Sequence, residues 1–197
     1  MRIRRLHRLI GIILLLPFLG WAITGLVFFI KPGYTGAYEI LAPKSYPLDG
    51  TLSISPDPAW REFRYLRTIL GDHLIVRTDR GWSHLNPKNM QPRSKPTEEE
   101  IKLLLTDAFS ANPQRYGRIA SISDHAVKTD TGVNVTLDWN RMSLQQRGKD
   151  TDWIDTLYQI HYLQWTGIKS VDKVVGLIGL LLVIALTMIG ARLAISR

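Results

Sequence analysis

Histidines are the residues of this chain best suited to a redox metal or haem, because the 197-residue sequence contains no cysteine. There are five: His7, His73, His84, His125 and His161. A predicted turn at residues 79–81 separates His73 from His84, so a hairpin would make these two neighbours. Two imidazoles form only a weak copper or zinc site that lacks further ligands. We favour hydrogen-bonded structural histidines there and predict no metal centre.

His7 and His161 flank the two apolar segments of the chain and are the candidate ligands of a haem b. A haem with two histidine ligands needs both rings at the same depth in the membrane. Because these two are expected on opposite sides of the bilayer, each would need a second ligand from another copy or from a partner. For His161, which shares a helix face with aromatic residues, we favour a role in packing and hydrogen bonding over ligation.

The sequence has no pattern typical of a nucleophilic or phosphate-binding enzyme. It contains no nucleophile elbow, no phosphate-cradling glycine loop and no metalloprotease helix. The acidic run Glu98–Glu100 fits the first turn of a helix, where the helix dipole favours negative charge. We therefore predict no catalytic residues, and no nucleic-acid partner, because basic and aromatic residues do not interleave on one face.

Two apolar segments set the architecture. Residues 9–30 carry no charge over 22 positions, enough to span a hydrocarbon core of roughly 30 Å. A second apolar run covers residues 174–189 and extends to a span over 172–194, with Arg192 reaching toward the headgroups. A cleaved signal peptide is the rival for the first segment, but the run is too long and no small-residue cleavage site follows it. We predict two transmembrane helices.

The charges predict the orientation. The net charge is +8, and basic residues without acidic neighbours stand at the start of the first span and at the end of the second. Positive flanks stay in the cytoplasm, so residues 1–8 and 195–197 are predicted to be cytoplasmic tails and residues 31–150 a periplasmic domain. The expected location is a bacterial inner membrane. The basic residues concerned are Arg2, Arg4, Arg5, Arg8, Arg192 and Arg197.

The central segment predicts a small α+β domain. A hairpin is expected over residues 73–85, and only the second half of residues 60–70 is predicted as strand. Thr97 with Glu100 forms a capping box for a helix whose buried face is Ile101, Leu104, Leu105, Ala108 and Phe109. Strands are then expected at 118–127, 133–138 and 142–146, with one sheet face on the helix and the other in water.

An amphipathic helix is predicted at residues 151–166, just before the second span. Trp153, Leu157, Ile160 and His161 fall on one side, and Gly167 is the expected C-terminal cap. Its aromatic residues with polar groups suggest that it lies at the membrane surface.

Small residues recur at helical spacing in both spans and predict close helix packing, against each other or against another protein. Gly20, Thr24 and Gly25 are the packing candidates in the first span. Those in the second span are Gly176, Gly179, Thr187 and Gly190.

Two stretches resemble the PepSY-associated transmembrane family. The first is residues 4–29, with Leu6-His7-Arg8, Gly11 and Thr24-Gly25. The second is residues 158–193, with Ile160-His161 followed by a glycine-containing span. The helix from Thr97 and its following strands are similar to a PepSY domain.

The resemblance implies a family whose larger members are haem-containing membrane reductases, some acting on ferric siderophores. This chain has two spans and no histidine inside either, so the resemblance implies a reduced form with two anchors and one periplasmic PepSY-like domain. Our leading hypothesis is a non-catalytic accessory subunit of a larger respiratory, redox or metal-handling complex, with membrane subunits and lipid as partners and no required cofactor. The alternatives are a haem b or metal-dependent redox protein and a periplasmic binding or peptidase-modulating module.

Overall fold

The structure, a computed structural model, describes residues 2–49, 54–123 and 126–195. The chain forms two compact units, one of residues 1–35 with 150–197 and one of residues 36–149. We call them the helical unit and the α+β domain. In chain order the elements are α1 (Arg2–Ile30), α2 (Tyr34–Ala37), β1 (Glu62–Thr68), β2 (Gly71–Thr78), β3 (Gly81–Leu85), α3 (Glu98–Phe109), α4 (Pro113–Tyr116), β4 (Ile119–Ser123), β5 (Ala126–Thr129), β6 (Asn134–Asp138), β7 (Ser143–Arg147), α5 (Lys149–His161) and α6 (Lys169–Ile195).

In the helical unit, α1 and α6 are both long and apolar enough to cross a membrane. Most of their large side chains are exposed, as expected of helices that face lipid rather than a protein core. The buried positions of α1 are Ile10, Leu14 and Thr24, which follow helical spacing along one stripe. Two long apolar helices therefore flank a small α+β domain in the sequence, which supports a membrane location.

Both long helices extend beyond the predicted spans. The apolar run at 9–30 is helical as predicted, but α1 begins at Arg2, because nothing in the basic segment breaks a helix. The second span, predicted at 172–194, lies within α6, which begins at Lys169. Asp172 supports the start of α6: its carboxylate accepts hydrogen bonds from the backbone N–H and the hydroxyl of Thr166, at 2.9 and 2.7 Å.

The helix before the second span differs from its prediction in length and in face. It covers residues 149–161 rather than 151–166, and the chain turns at Leu163 and Gly167, both with positive φ. Trp153 was predicted on the same side of the helix as Leu157, but it is 48% exposed whereas Leu157 is buried. The buried residues are Ile154 and Leu157, and Tyr158 and His161, on the same stripe of the helix, contact Phe28 and Thr24 of α1.

The α+β domain contains two antiparallel sheets, ordered β1-β2-β3 and β4-β5-β6-β7. Helix α3 begins at the predicted capping box: the Thr97 hydroxyl accepts from the Glu100 N–H, and the Glu100 carboxylate accepts from the Thr97 N–H. All five predicted core residues of α3 are buried. They form one core with residues of both sheets, including Ile75, Val135 and Leu137.

Two strand predictions were wrong in extent. Strand β1 covers most of residues 60–70, rather than the second half, because seven of its residues pair with β2. The segment 118–127, predicted as one strand, contains the whole of β4 and the start of β5, which pair with each other. The hairpin of β2 and β3, turning at Gly81, is confirmed.

The two ends of the α+β domain are joined by one side chain. The amide nitrogen of Gln146, in the last strand, donates to the backbone carbonyls of Gly36, Ala37 and Glu39, at 3.2, 3.0 and 3.2 Å. The first residues of the domain are thereby held beside its last strand.

Candidate functional site

A buried chain of hydrogen bonds joins the two sheets of the α+β domain. The hydroxyl of Thr68 lies 2.7 Å from His73 Nε2, and His73 Nδ1 lies 2.9 Å from His84 Nε2. His84 Nδ1 lies 3.0 Å from the backbone carbonyl of Trp139. His73 is fully buried and His84 is 3% exposed. We call Thr68, His73, His84 and the Trp139 carbonyl the histidine chain.

The Trp139 carbonyl, the last acceptor in the histidine chain, determines which ring nitrogens carry protons. A carbonyl oxygen can only accept, so His84 Nδ1 carries the proton and its Nε2 is bare when the ring is neutral. His73 must then donate from Nδ1 to His84, which leaves its own Nε2 to accept from Thr68. Every polar atom of the two rings is satisfied, with all the donors pointing the same way.

Arg93 is the charge nearest to the histidine chain. Its guanidinium lies 3.2 Å from His73 Nδ1 but donates to the carbonyls of Asp72 and Leu70, at 2.6 and 3.1 Å. Its Cζ also stands 5.6 Å from the ring centre of Trp139. The cation is thus held in place by backbone oxygens and an aromatic face, and not by a carboxylate.

Burial keeps both imidazoles neutral. It is the main cause that lowers the pKa of His73 to about 3 and the pKa of His84 to about 4. The charge of Arg93 lowers both values further, while the hydrogen bond to Trp139 opposes the shift of His84. At neutral pH the histidine chain therefore carries no charge of its own.

The same geometry argues against the two-ligand metal site that the sequence suggested as a weak alternative. The two facing ring nitrogens share a proton, and a guanidinium stands beside one of them, which would repel a metal cation. Within the described ranges no group of three or more potential metal ligands occurs. His125 lies outside the described residues.

His161 is held against α1 in the helical unit. Its Nδ1 lies 2.8 Å from the hydroxyl of Thr24, and its backbone carbonyl accepts from the indole N–H of Trp21 at 2.6 Å. The Thr24 hydroxyl also stands 2.6 Å from the carbonyl of Gly20. If the Thr24 hydroxyl donates its one proton to that carbonyl, it must accept from His161 Nδ1. The Nε2 atom of His161 then carries no proton and keeps its lone pair. The ring packs edge-on to Phe28, with centroids 5.2 Å apart.

His7 lies near the other end of the helical unit. It packs against α6, where a Cβ added to Gly190 would stand 3.2 Å from its Cε1. Its Nδ1 is buried and has no hydrogen-bond partner among the described residues. Thr24, the contact of His161, lies 17 positions after His7 in α1, which is about 25 Å at the helical rise. The two candidate haem ligands are therefore not brought together.

The helix-packing candidates fall into two groups. Gly20, Gly176, Gly179 and Gly190 contact this chain's own residues, most closely at Gly179, where an added Cβ would stand 2.9 Å from Leu163 Cδ1. Thr24 is buried and bonded as described above.

The second group faces away from the helical unit. A Cβ added to Gly25 would meet no described atom within 4 Å apart from its chain neighbours and its own helix backbone. Thr187 is exposed, and its hydroxyl donates to the carbonyl of Val183 in its own helix.

Comparison with protein-family models, with curated proteins and with solved structures gave no match.

Sequence reasoning missed Thr68, Arg93 and Trp139 as parts of the buried polar chain. The hairpin indicated that His73 and His84 would be close. No local pattern, however, connects them with Trp139, 55 positions after His84. The only available signal was a tryptophan at the end of an alternating strand.

Proposed function

We propose that the protein is a non-catalytic accessory subunit of a larger inner-membrane complex, related to the PepSY-associated family, with respiratory, redox or metal-handling partners. The observation that carries this proposal is that the polar side chains of the helical unit bond to one another. Thr24, Trp21 and His161 are bonded to one another, so their polar groups serve packing within the chain. On this view the helical unit is an anchor, and the α+β domain is the part that is presented at the membrane.

The proposed orientation has both termini in the cytoplasm and the α+β domain in the periplasm of a bacterial cell. Four arginines stand within the first eight residues without an acidic neighbour. Such a flank resists translocation, and two spans return the chain to the same side.

Gly25 and Thr187 are the proposed contacts with membrane subunits. Helices associate in lipid through close packing at small residues, since apolar burial alone gives no advantage there. A Cβ added to Gly25 would meet no side chain among the described residues within 4 Å, and Thr187 is exposed on α6. Both positions are therefore free to contact a second protein without rearranging the helical unit.

The test compares a double variant with a single variant after mild detergent extraction. Gly25→Leu, combined with Thr187→Leu, should abolish co-purification of the partner subunits while leaving the melting temperature of the protein unchanged. Gly179→Leu is the matched control, because its side chain would meet Leu163. It should lower the melting temperature of the protein itself. Unchanged co-purification of the first variant would contradict the proposal.

A haem b redox protein is the second candidate, and the bond between His161 and Thr24 is the observation that favours it. A histidine that ligates through Nε2 commonly donates its Nδ1 proton to a neighbour, which fixes the ring. His161 fits that pattern, but no other histidine among the described residues is brought near it. Haem, when bound, would supply one-electron transfer, and His161 would orient it with a ligand from a second copy or partner.

An absorption spectrum of protein purified with added haem tests this candidate. A Soret band that is lost in His161→Ala and retained in His73→Gln would support it and would displace the accessory-subunit proposal. Absence of a Soret band from the purified protein would rule out the haem b candidate.

A further inference from the structure

Three arginines surround one tryptophan at the edge of the α+β domain. The guanidinium carbons of Arg64, Arg141 and Arg77 lie 4.8, 5.5 and 6.0 Å from the ring of Trp82. All three arginines are exposed, whereas Trp82 is half-buried and packs against the hydrophobic core. We call these four residues the Trp82 arginine cluster.

The cluster is built from separate parts of the fold. Arg64, Arg77 and Trp82 lie on β1, β2 and β3, and Arg77 is paired directly with Trp82 in the strand register. Arg141 lies in the turn between β6 and β7 of the other sheet. The guanidinium of Arg64 donates to the backbone carbonyl of Arg141 at 2.9 Å, which fixes the two relative to each other. The cluster is therefore held by pairing and by a hydrogen bond, around a ring set into the core.

A carboxylate balances only one of these three charges. Glu62 lies 3.6 Å from Arg77, and Asp79 pairs with Arg61 instead. Asp138 accepts a hydrogen bond from the backbone N–H of Arg141 at 3.1 Å, but within the part of the chain that the structure describes no carboxylate forms an ion pair with the guanidinium of Arg64 or Arg141. Each guanidinium carbon stands within 6.0 Å of the same ring centre, so the three like charges repel, and the ring face offsets only part of this cost. A bound anion would offset the remainder.

The turn that presents Arg141 has a strained backbone. Met142 has a φ of 47°, in the left-handed region that non-glycine residues seldom adopt, and it is 5% exposed. Such strain persists where the surrounding packing imposes it, and it is concentrated at functional sites. Here the buried Met142 holds the turn in the conformation that sets Arg141 beside Trp82.

We propose that the Trp82 arginine cluster is a binding site for a phosphate-type oxyanion. The guanidinium fork matches two oxygens of a phosphate at once, and Arg rather than Lys is the residue suited to this recognition. Two of the three guanidiniums have no carboxylate to displace. The phosphate group is supplied either by a free polyphosphate anion or by the headgroup of an anionic lipid.

Isothermal titration of the full-length protein with inorganic pyrophosphate tests the site. In detergent we expect saturable binding with one site per chain. Arg64→Gln and Arg141→Gln should each weaken it about tenfold or more, because each removes a charged hydrogen-bonding fork. Arg141→Lys should weaken binding less than Arg141→Gln. Arg118→Gln removes one exposed charge elsewhere in the domain and should leave the affinity unchanged.

Nanodiscs distinguish the two sources of phosphate. If a lipid headgroup is the natural occupant, pyrophosphate will bind more weakly in discs containing phosphatidylglycerol than in discs of phosphatidylcholine alone, and the difference will disappear in Arg64→Gln. Equal affinity in both discs assigns the site to a free anion. Absence of saturable binding, or an equal loss of affinity in Arg118→Gln, would overturn the proposal.

Discussion

Acid should destabilise the α+β domain through the histidine chain. His73 and His84 are held neutral in the fold, with pKa values of about 3 and about 4, whereas an unfolded histidine titrates near 6.5. The unfolded state therefore binds more protons as the pH falls. The contribution to stability is complete above pH 6.5 and is lost as the pH falls from 6.5 toward the folded-state values.

The magnitude follows from the proton balance. At pH values well below 6.5, each histidine that stays neutral in the fold lowers the free energy of unfolding by about 1.4 kcal/mol for every unit by which the pH falls. Between pH 7 and pH 5 this amounts to about 2 kcal/mol per histidine and about 4 kcal/mol for the pair. A small domain has a total stability of about 5–15 kcal/mol, so the loss should be readily measured.

Hydrogen exchange of the β5 and β6 amides in the full-length protein, corrected for intrinsic exchange rates, measures the free energy of opening of this domain. Below pH 6 the slope of that free energy should approach about 2.7 kcal/mol per pH unit from these two residues. His73→Gln and His84→Gln each remove one titrating group and should lower the slope by about half of that value. Both variants should also be less stable at pH 7, since each breaks a buried hydrogen bond.

The slope is the decisive measurement, because any damaging substitution lowers stability. If both variants keep the wild-type slope, the acid sensitivity comes from other groups and the assignment of neutral, buried rings is refuted.

Two further predictions concern the backbone of the α+β domain, both measured by urea denaturation. Thr97→Ala removes the capping box and should cost about 1 kcal/mol, whereas Thr106→Ala, at an exposed position of the same helix, should be neutral or slightly stabilising; equal effects would contradict the role of the cap. Gly117→Ala should cost about 2 kcal/mol or more, because Gly117 has a φ of 57° and an added Cβ would collide with Asp130; a neutral result would contradict this account of the turn.

Local signals predicted those parts of the fold whose contacts are local. The capping box at Thr97 and the 3.6-residue pattern after it identified α3 and its buried face correctly, since both depend on residues at most four apart. Gly81 similarly located the turn between β2 and β3. The extent of β1 could not be read in the same way, because its first half is a strand only through its pairing with β2.

The candidate site was predictable only in fragments. Helical spacing suggested that Thr24 packs closely but gave no indication that its partner is His161, 137 positions away. The Trp82 arginine cluster joins three strands and a turn of the other sheet, so no window of sequence contains it. Contacts of this kind are decided by tertiary packing, which periodicity along one segment does not report.

The bonds from Gln146 to the first carbonyls of the α+β domain have a consequence for how this protein can vary. A domain whose entry and exit are fastened together can be inserted into a connecting loop without pulling the flanking elements apart. A different domain whose two ends are adjacent could therefore replace the α+β domain between α1 and α6. Substituting Gln146, rather than a core residue, is the change that would separate the first residues of the domain from its last strand.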